Sequence, residues 1–169
     1  AKKVGAVNVV KINSDGKKTG FNSDYYGFLN SLENWIPNLK GCKALILGTG
    51  GAAKAVITVL QDLSIPFLKI SRDEVKGDMT YDKLRSAPDL LREHPLIINT
   101  TPLGMSPNTE AMPDLDYDIM DESFHLYDLI YNPAETRFMA EGKKVGAQTK
   151  NGLEMLELQA EKSWEIWNN

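Results

Sequence analysis

Gly48-Thr49-Gly50-Gly51-Ala52-Ala53 is the stretch that decides the fold. It follows Ala44-Leu45-Ile46-Leu47, a short apolar run of the kind that forms a strand buried on both faces. It opens a segment, Ala52 to Leu63, in which Ala53, Val56, Ile57 and Leu60 recur at helical spacing. Strand, glycine turn and helix in that order satisfy G-x-G-x-x-G/A in its proper context. Gly48 permits a tight turn off the strand, Gly50 lets a pyrophosphate approach the backbone, and Ala53 allows close helix–strand packing. The helix start then offers unpaired N–H groups and the positive end of its dipole to the phosphates. A simple glycine turn would share these letters, but a second strand, Phe67-Leu68-Lys69-Ile70, arrives where a dinucleotide-binding unit needs it. The expectation is a Rossmann-type domain in which Gly48, Thr49, Gly50, Gly51 and Ala52 hold a dinucleotide.

The same grammar continues downstream. Tyr81 to Leu91 reads as a helix with a break at Pro88, Leu96 to Asn99 as a buried strand, and His125 to Tyr131 as another, ended by Asn132-Pro133. Thr136 to Gly142 reads as a short helix, Lys144 to Ala147 as a fifth strand, and Gly152 to Trp167 as a long closing helix. Strands and helices alternating at these lengths imply an α/β fold, a doubly wound and mainly parallel sheet covered on both faces. In the closing helix, Leu153, Leu156, Ala160, Trp164 and Trp167 form a stripe that reads as packing.

Upstream the pattern differs. Val4 to Ile12 is rich in β-branched residues, Asn13-Ser14-Asp15-Gly16 is turn chemistry, and Lys18 to Phe21 returns as a second strand. Ser23 or Asp24 then caps a helix reaching about Trp35, with Phe28, Leu29, Leu32 and Ile36 on one side. The chain lacks an initiator Met and its first strand begins at once, so the expectation is a piece cut from something longer. Residues 1–22 are then a hairpin left from a truncated N-terminal lobe, 23–40 a linker helix, 41–150 the nucleotide-binding domain, and 151–169 a helix packing back toward the substrate lobe. A lone hairpin is marginal in water, so it needs a partner: the terminal helix, a neighbouring chain, or nothing, in which case it is poorly ordered.

Composition excludes several classes. A chain of 169 residues with 42% hydrophobic and 25% charged residues is an ordinary globular protein of about one domain. Its net charge of -4, without a Lys/Arg cluster, argues against nucleic acid or anionic membrane as partners. Cys42 stands alone and forms no internal disulfide, which fits a cytoplasmic protein. No apolar run approaches the roughly 20 residues needed to span a bilayer. His94 and His125 have no partners at metal-ligand spacing, so no metal site is expected.

The second strand of a dinucleotide site informs on the cofactor. NAD-type sites place an acid there, and here Ser71 holds that place with Arg72 behind it. A guanidinium suits a 2′-phosphate through paired charge-assisted hydrogen bonds, so NADP(H) is favoured over NAD. Asp73 complicates the choice, since it either neutralises Arg72 or itself reaches a ribose hydroxyl.

Six segments, in order, resemble one family. Gly5-Ala6-Val7-Asn8 is similar to a G-A-V-N-T strand, and Gly20-Phe21-Asn22-Ser23-Asp24-Tyr25-Tyr26-Gly27-Phe28 to a G-x-N-T-D-x-x-G-F segment. Gly48 to Ala53 is the phosphate loop, and Asn99-Thr100-Thr101-Pro102-Leu103-Gly104-Met105 reproduces N-T-T-P-x-G-M. Asp128 to Thr136 resembles D-x-x-Y-x-P-x-x-T, and Gly152 to Ala160 resembles G-x-x-M-L-x-x-Q-A. The family is that of the shikimate dehydrogenases, and the resemblance covers the chain almost end to end.

The resemblance implies NADP-dependent interconversion of 3-dehydroshikimate and shikimate, on the route to chorismate and the aromatic amino acids. Asp24 matches the acid of the family's catalytic Lys–Asp pair, where a carboxylate holds and polarises the lysine. Asn8, Tyr131 and Gln159 match substrate-side positions; Leu129, Gly152 and Met155 match the nicotinamide end, and Thr100, Thr101, Pro102 and Leu103 border the cofactor. By themselves, Asp24 is also a helix cap, Asn8 a turn-bonding strand residue, Gln159 an exposed helix residue and Tyr131 a strand-end aromatic.

The sequence also departs from the family pattern. The N-V-T-x-P-x-K stretch, with its serine pair and catalytic lysine, is not among these residues, and Lys2, Lys3 and Lys11 sit in no such motif. The expectation is a cofactor-binding fragment without turnover of its own, monomer or homodimer. Competing readings are an NAD-using quinate/shikimate dehydrogenase, a non-catalytic NADP-binding regulatory module, and, more weakly, a Rossmann methyltransferase. Asp24, Asn8 and Gln159 together weigh against a regulatory module, which needs no substrate-side residues.

Overall fold

The computed structural model describes residues 1–169. The chain opens with an antiparallel hairpin, β1 (Val9–Ile12) and β2 (Lys18–Phe21), in which Val9 faces Phe21. Helix α1 (Asp24–Trp35) follows, and then the main sheet begins with β3 (Ala44–Leu47), whose four residues are all buried. Next come α2 (Gly51–Asp62), β4 (Phe67–Ser71) and a two-residue strand β5 (Met79–Thr80). Two short helices, α3 (Tyr81–Arg85) and α4 (Pro88–Glu93), lead to β6 (Leu96–Asn99). After a single 3₁₀ turn at Tyr117–Ile119 the chain forms β7 (His125–Asp128), α5 (Arg137–Lys144), β8 (Gln148–Lys150) and α6 (Leu153–Asn168).

The six strands of the main sheet lie in the order β5-β4-β3-β6-β7-β8, every pair parallel. Two apolar layers sandwich it. On one face Phe28 and Leu32 of α1, Ala53, Val56 and Leu60 of α2, and Met155 of α6 meet Ala44, Ile46, Leu96 and Ile98. On the other, Leu84, Leu91, Phe138 and Met139 meet Leu45, Leu47, Ile97 and Leu126. Consecutive residues of β3 and β6 thus feed opposite layers, which is why both strands read as unbroken apolar runs rather than alternating ones. The doubly wound α/β expectation holds.

So does the break at Pro88, which divides Tyr81 to Leu91 into two helices because Pro88 donates no backbone hydrogen bond and Ala87 before it sits at φ -131°, ψ 66°. Several other local expectations do not hold. The fourth apolar run stops pairing at Asp128, short of Tyr131, because the Asp128 Oδ1 accepts from the Ile130 N–H at 3.0 Å and turns the chain. Lys144 to Ala147 is not a strand. Gly146 has φ +88°, and the N–H groups of Val145, Gly146 and Ala147 return to the carbonyls of Gly142 and Lys143, closing α5. The edge strand is instead the polar Gln148-Thr149-Lys150. Neither Ser23 nor Asp24 caps α1 with its side chain; the Asn22 Oδ1 accepts from the Tyr25 N–H at 3.1 Å.

The stripe on α6 also faces the other way. Leu153, Trp164 and Trp167 are exposed, while Met155 and Ser163 are buried against α1. Gly27 permits that crossing: a Cβ there would lie 2.6 Å from the Met155 carbonyl oxygen. The hairpin packs against the same helix, with the Trp167 Nε1 donating to the Val10 carbonyl at 3.1 Å.

Candidate functional site

β3 delivers the chain to Gly48, whose φ of +102° suits glycine and whose Cβ would meet the Thr100 Oγ1 at 2.9 Å. Gly50 caps α2, and a Cβ on Gly50 or Gly51 would meet nothing within 4 Å, so this stretch of backbone faces open space. No side chain caps the first turn of α2 and none there is acidic, which leaves its N–H groups free for an anion. Ala53 is fully buried between helix and sheet.

The sheet order makes β3 the switch point, with β4 on one side and β6 on the other, and ligands of such sheets bind in the crevice beyond the strand ends there. A cavity of about 360 Å³ occupies that crevice. Gly48, Thr49, Gly50, Ser71, Arg72, Thr100, Thr101, Pro102 and Leu103, all expected from the sequence, line it together. Gly51 stands exposed at the head of α2 and Ala52 lines the neighbouring cavities.

Arg72 is exposed and pairs with no carboxylate. Asp73, its neighbour in the chain, is otherwise engaged. Its carboxylate accepts from the Val75 N–H at 2.9 Å and lies 3.5 Å from the Lys76 Nζ, contacts that hold it below the usual carboxylate range. The Ser71 Oγ accepts from the Asp73 N–H at 3.1 Å. Sequence reasoning missed Tyr81, which also lines the cavity; its hydroxyl is buried without a partner and burial pushes it up to about 12. No periodicity marks that tyrosine, which reaches the cavity only because β5 pairs with β4.

Two further cavities continue from the first. One of about 450 Å³ runs over Ala52, Thr100 to Pro102 and Leu129 to Asn132. A smaller one of about 180 Å³ brings Asp24, Ala52, Leu129, Tyr131, Gly152, Met155 and Gln159 together. Gly152 is indispensable to its shape, since a Cβ there would lie 2.1 Å from the Leu129 carbonyl oxygen. Asn8 is not in the wall, but its Nδ2 donates to the Gln159 Oε1 at 3.3 Å and to the Ser23 Oγ at 3.1 Å. Ser23 in turn bonds Ser163 of α6 at 3.0 Å, so hairpin, α1 and α6 share one polar cluster. Burial raises the Asp24 carboxyl above its ordinary value, partly offset by the Asn8 side chain. Asp24 is the one carboxyl in that wall, placed to hold a cation or share a proton.

Beneath these walls lies a buried network that sequence reasoning also missed. Asn99 ends β6 and Asp128 ends β7, the two face each other in register, and both are fully buried. In the sequence each is the polar residue closing an apolar run and the first residue of a family-like motif, but nothing there pairs the two. No three His, Cys, Asp or Glu side chains are arranged to hold a metal ion. No helix is long and apolar enough to cross a membrane.

No family model matches the chain. It is 40% identical over 177 residues to the shikimate dehydrogenase (NADP(+)) of Clostridium beijerinckii, covering 99% of this chain and 63% of that protein. Among solved structures, the chorismate mutase/shikimate 5-dehydrogenase fusion protein from Clostridium acetobutylicum superposes with a TM-score of 0.84 at 37% identity, over 99% of this chain and 61% of that one. Shikimate 5-dehydrogenase from Thermus thermophilus, solved in complex with NADP(H) and shikimate, superposes at 0.82 with 32% identity, over 98% of this chain and 63% of that one. The chain therefore spans a little under two thirds of the length of the relatives it matches.

Proposed function

We propose that this chain, similar along 99% of its length to shikimate dehydrogenases, is the nucleotide-binding portion of an NADP-dependent enzyme interconverting 3-dehydroshikimate and shikimate. The observation that carries the cofactor assignment is Arg72, exposed and without a salt-bridge partner, on a cavity that Gly48 to Gly50 also line. Pyrophosphate fits the glycine turn and the start of α2, and the guanidinium fits a 2′-phosphate. Asp73, the acid next to Arg72 in the chain, has its carboxylate engaged by Val75 and Lys76, which weighs against its reading a bare ribose hydroxyl.

On this reading residues 41–150 bind NADP(H), 1–22 belong with the substrate lobe, 23–40 link the two, and 151–169 return toward the substrate. NADP(H), when bound, supplies hydride chemistry. The nicotinamide end would lie along Leu129, Gly152 and Met155, and substrate would lie against Tyr131 and Gln159, with Asn8 reaching it beside Gln159, to which its side chain donates. Asp24 would hold and polarise the protonated partner that exchanges a proton with the substrate oxygen. The resemblance gives that partner as a lysine in a motif outside residues 1–169, so this polypeptide alone binds cofactor without appreciable turnover.

Calorimetric titration with NADP⁺ and NAD⁺ tests the assignment. Tighter binding of NADP⁺, with the preference falling about tenfold or more in Arg72→Ala, is the expected result. Equal affinity for both would overturn the 2′-phosphate assignment, and binding of neither would overturn the nucleotide site. Near-normal oxidation of shikimate by residues 1–169 alone would overturn the division of labour.

A further inference from the structure

The cavities that line the nucleotide and substrate sides share a hidden support. The Asp128 Oδ1 accepts from the Asn99 Nδ2 at 3.1 Å and from the Ile130 N–H at 3.0 Å, and the Oδ2 accepts from the Thr136 hydroxyl at 2.6 Å. Asn99 passes the constraint on: its Oδ1 accepts from both the Thr101 N–H at 3.0 Å and the Thr101 hydroxyl at 2.7 Å. Thr101 in turn accepts from the Leu103 N–H at 3.3 Å. One carboxylate therefore ties the loop after β6, which lines the first cavity, to the loop after β7, which lines the smaller one.

We propose that Asp128 is a positioning residue, whose buried carboxylate sets the loop 99–103 relative to the loop 129–132 and so the cofactor wall relative to the substrate wall. The inference rests on the nucleotide reading of the preceding section. All three partners of Asp128 donate, so the ionised form is the one they fit; a proton on it requires the Thr136 hydroxyl to turn round. No Lys, Arg or His contacts the carboxyl. The titratable group facing it is the Tyr117 phenol, which donates to the Pro113 carbonyl. Burial pushes the Asp128 carboxyl up to about 6, against the pull of its three hydrogen bonds. Its charge is therefore present at neutral pH and lost in mild acid.

Asp128→Asn keeps the shape and imitates the protonated acid. The test compares NADP⁺ dissociation constants for wild type and Asp128→Asn from pH 5 to 8. The phosphate of NADP⁺ titrates near pH 6 as well, but it does so equally for both proteins and cancels in their ratio. The expected ratio is about tenfold weaker binding by the variant at pH 8, converging within about twofold at pH 5. A structural defect alone would leave a ratio that does not change with pH. In cofactor-free wild type, the amide resonances of Thr101, Leu103 and Ile130 move with one shared midpoint near pH 6, and they stay still in Asp128→Asn. A flat ratio, or amides that do not titrate together, overturns the positioning role while leaving the nucleotide site intact. Absence of NADP⁺ binding by wild type at every pH overturns the nucleotide reading and this inference with it. If Asp128→Asn does not fold, the wild-type amide titration decides.

Discussion

Replacing Gly152 by alanine tests the glycine whose added Cβ would come closest to backbone. Gly152 has φ -80° and ψ 5°, a conformation alanine adopts freely, so backbone strain does not enter. The cost is steric. The added Cβ would lie 2.1 Å from the Leu129 carbonyl oxygen and 2.6 Å from its carbon, and neither atom can rotate away. Carbon and oxygen rest at about 3.3 Å, so β7's exit loop and the start of α6 must part by about 1 Å. That movement also strains the bond from the Gly152 N–H to the Ile130 carbonyl, 3.0 Å in the native chain. Overpacking of this kind costs about 1–3 kcal/mol and a weakened buried hydrogen bond about 1 kcal/mol more, so about 3 kcal/mol in all. For a chain of this size that lowers Tm by about 6–12 °C. Because Leu129 and Gly152 both line the smaller cavity, NADP⁺ affinity falls as well. Thermal unfolding followed by circular dichroism, with calorimetric titration of NADP⁺, measures both effects. Gly51→Ala, where the new Cβ meets nothing within 4 Å, is the stability control. A Gly152→Ala protein melting within about 2 °C of wild type and binding NADP⁺ normally would refute the steric reasoning.

Two further outcomes follow from buried polar groups. The Tyr127 hydroxyl donates to the Ser31 Oγ at 2.8 Å, and Ser31 donates on to Glu154 of α6, so Tyr127→Phe strands an acceptor and costs about 1–2 kcal/mol in urea unfolding; no change in midpoint would argue that water replaces the hydroxyl. Asp128 sets an unusual pH dependence, because its folded value of about 6 lies above the unfolded value of about 3.9. The native state then holds the proton more tightly, so the group favours folding most below about pH 4 and loses that contribution as the pH rises through about 6. Asp128→Asn should accordingly gain on wild type by up to about 3 kcal/mol between about pH 4 and 7; a stability difference independent of pH would contradict the assigned shift. The functional charge on Asp128 is thus held at a cost in stability, a common trade at sites shaped for binding.

Much of this protein is local enough to be legible in its residues. Ala44 to Leu47 and Leu96 to Asn99 are buried on both faces, and an apolar run bounded by turn residues carries that message without reference to anything distant. Gly48, at φ +102°, announces a turn that glycine makes comfortably, so the strand–turn–helix unit is readable, and so is the position of Arg72 behind the next strand. What depends on partners was not. Gln148-Thr149-Lys150 is a strand because β7 offers it an edge, while the more apolar Val145-Gly146-Ala147 is spent closing α5. The α6 stripe follows helical period faithfully, yet which face is buried depends on α1 crossing at Gly27 and drawing Met155 and Ser163 inward. Asp73 stood beside Arg72 in the chain and was free to pair with it until the turn gave its carboxylate to Val75 and Lys76. Asn99 and Asp128, 29 positions apart, become one hydrogen-bonded unit only when β6 and β7 lie in register. Propensity and pattern act over a few residues and determine which elements form. Strand order, helix facing and the pairing of buried polar groups are set by contacts between distant segments, and those exist only in the folded chain.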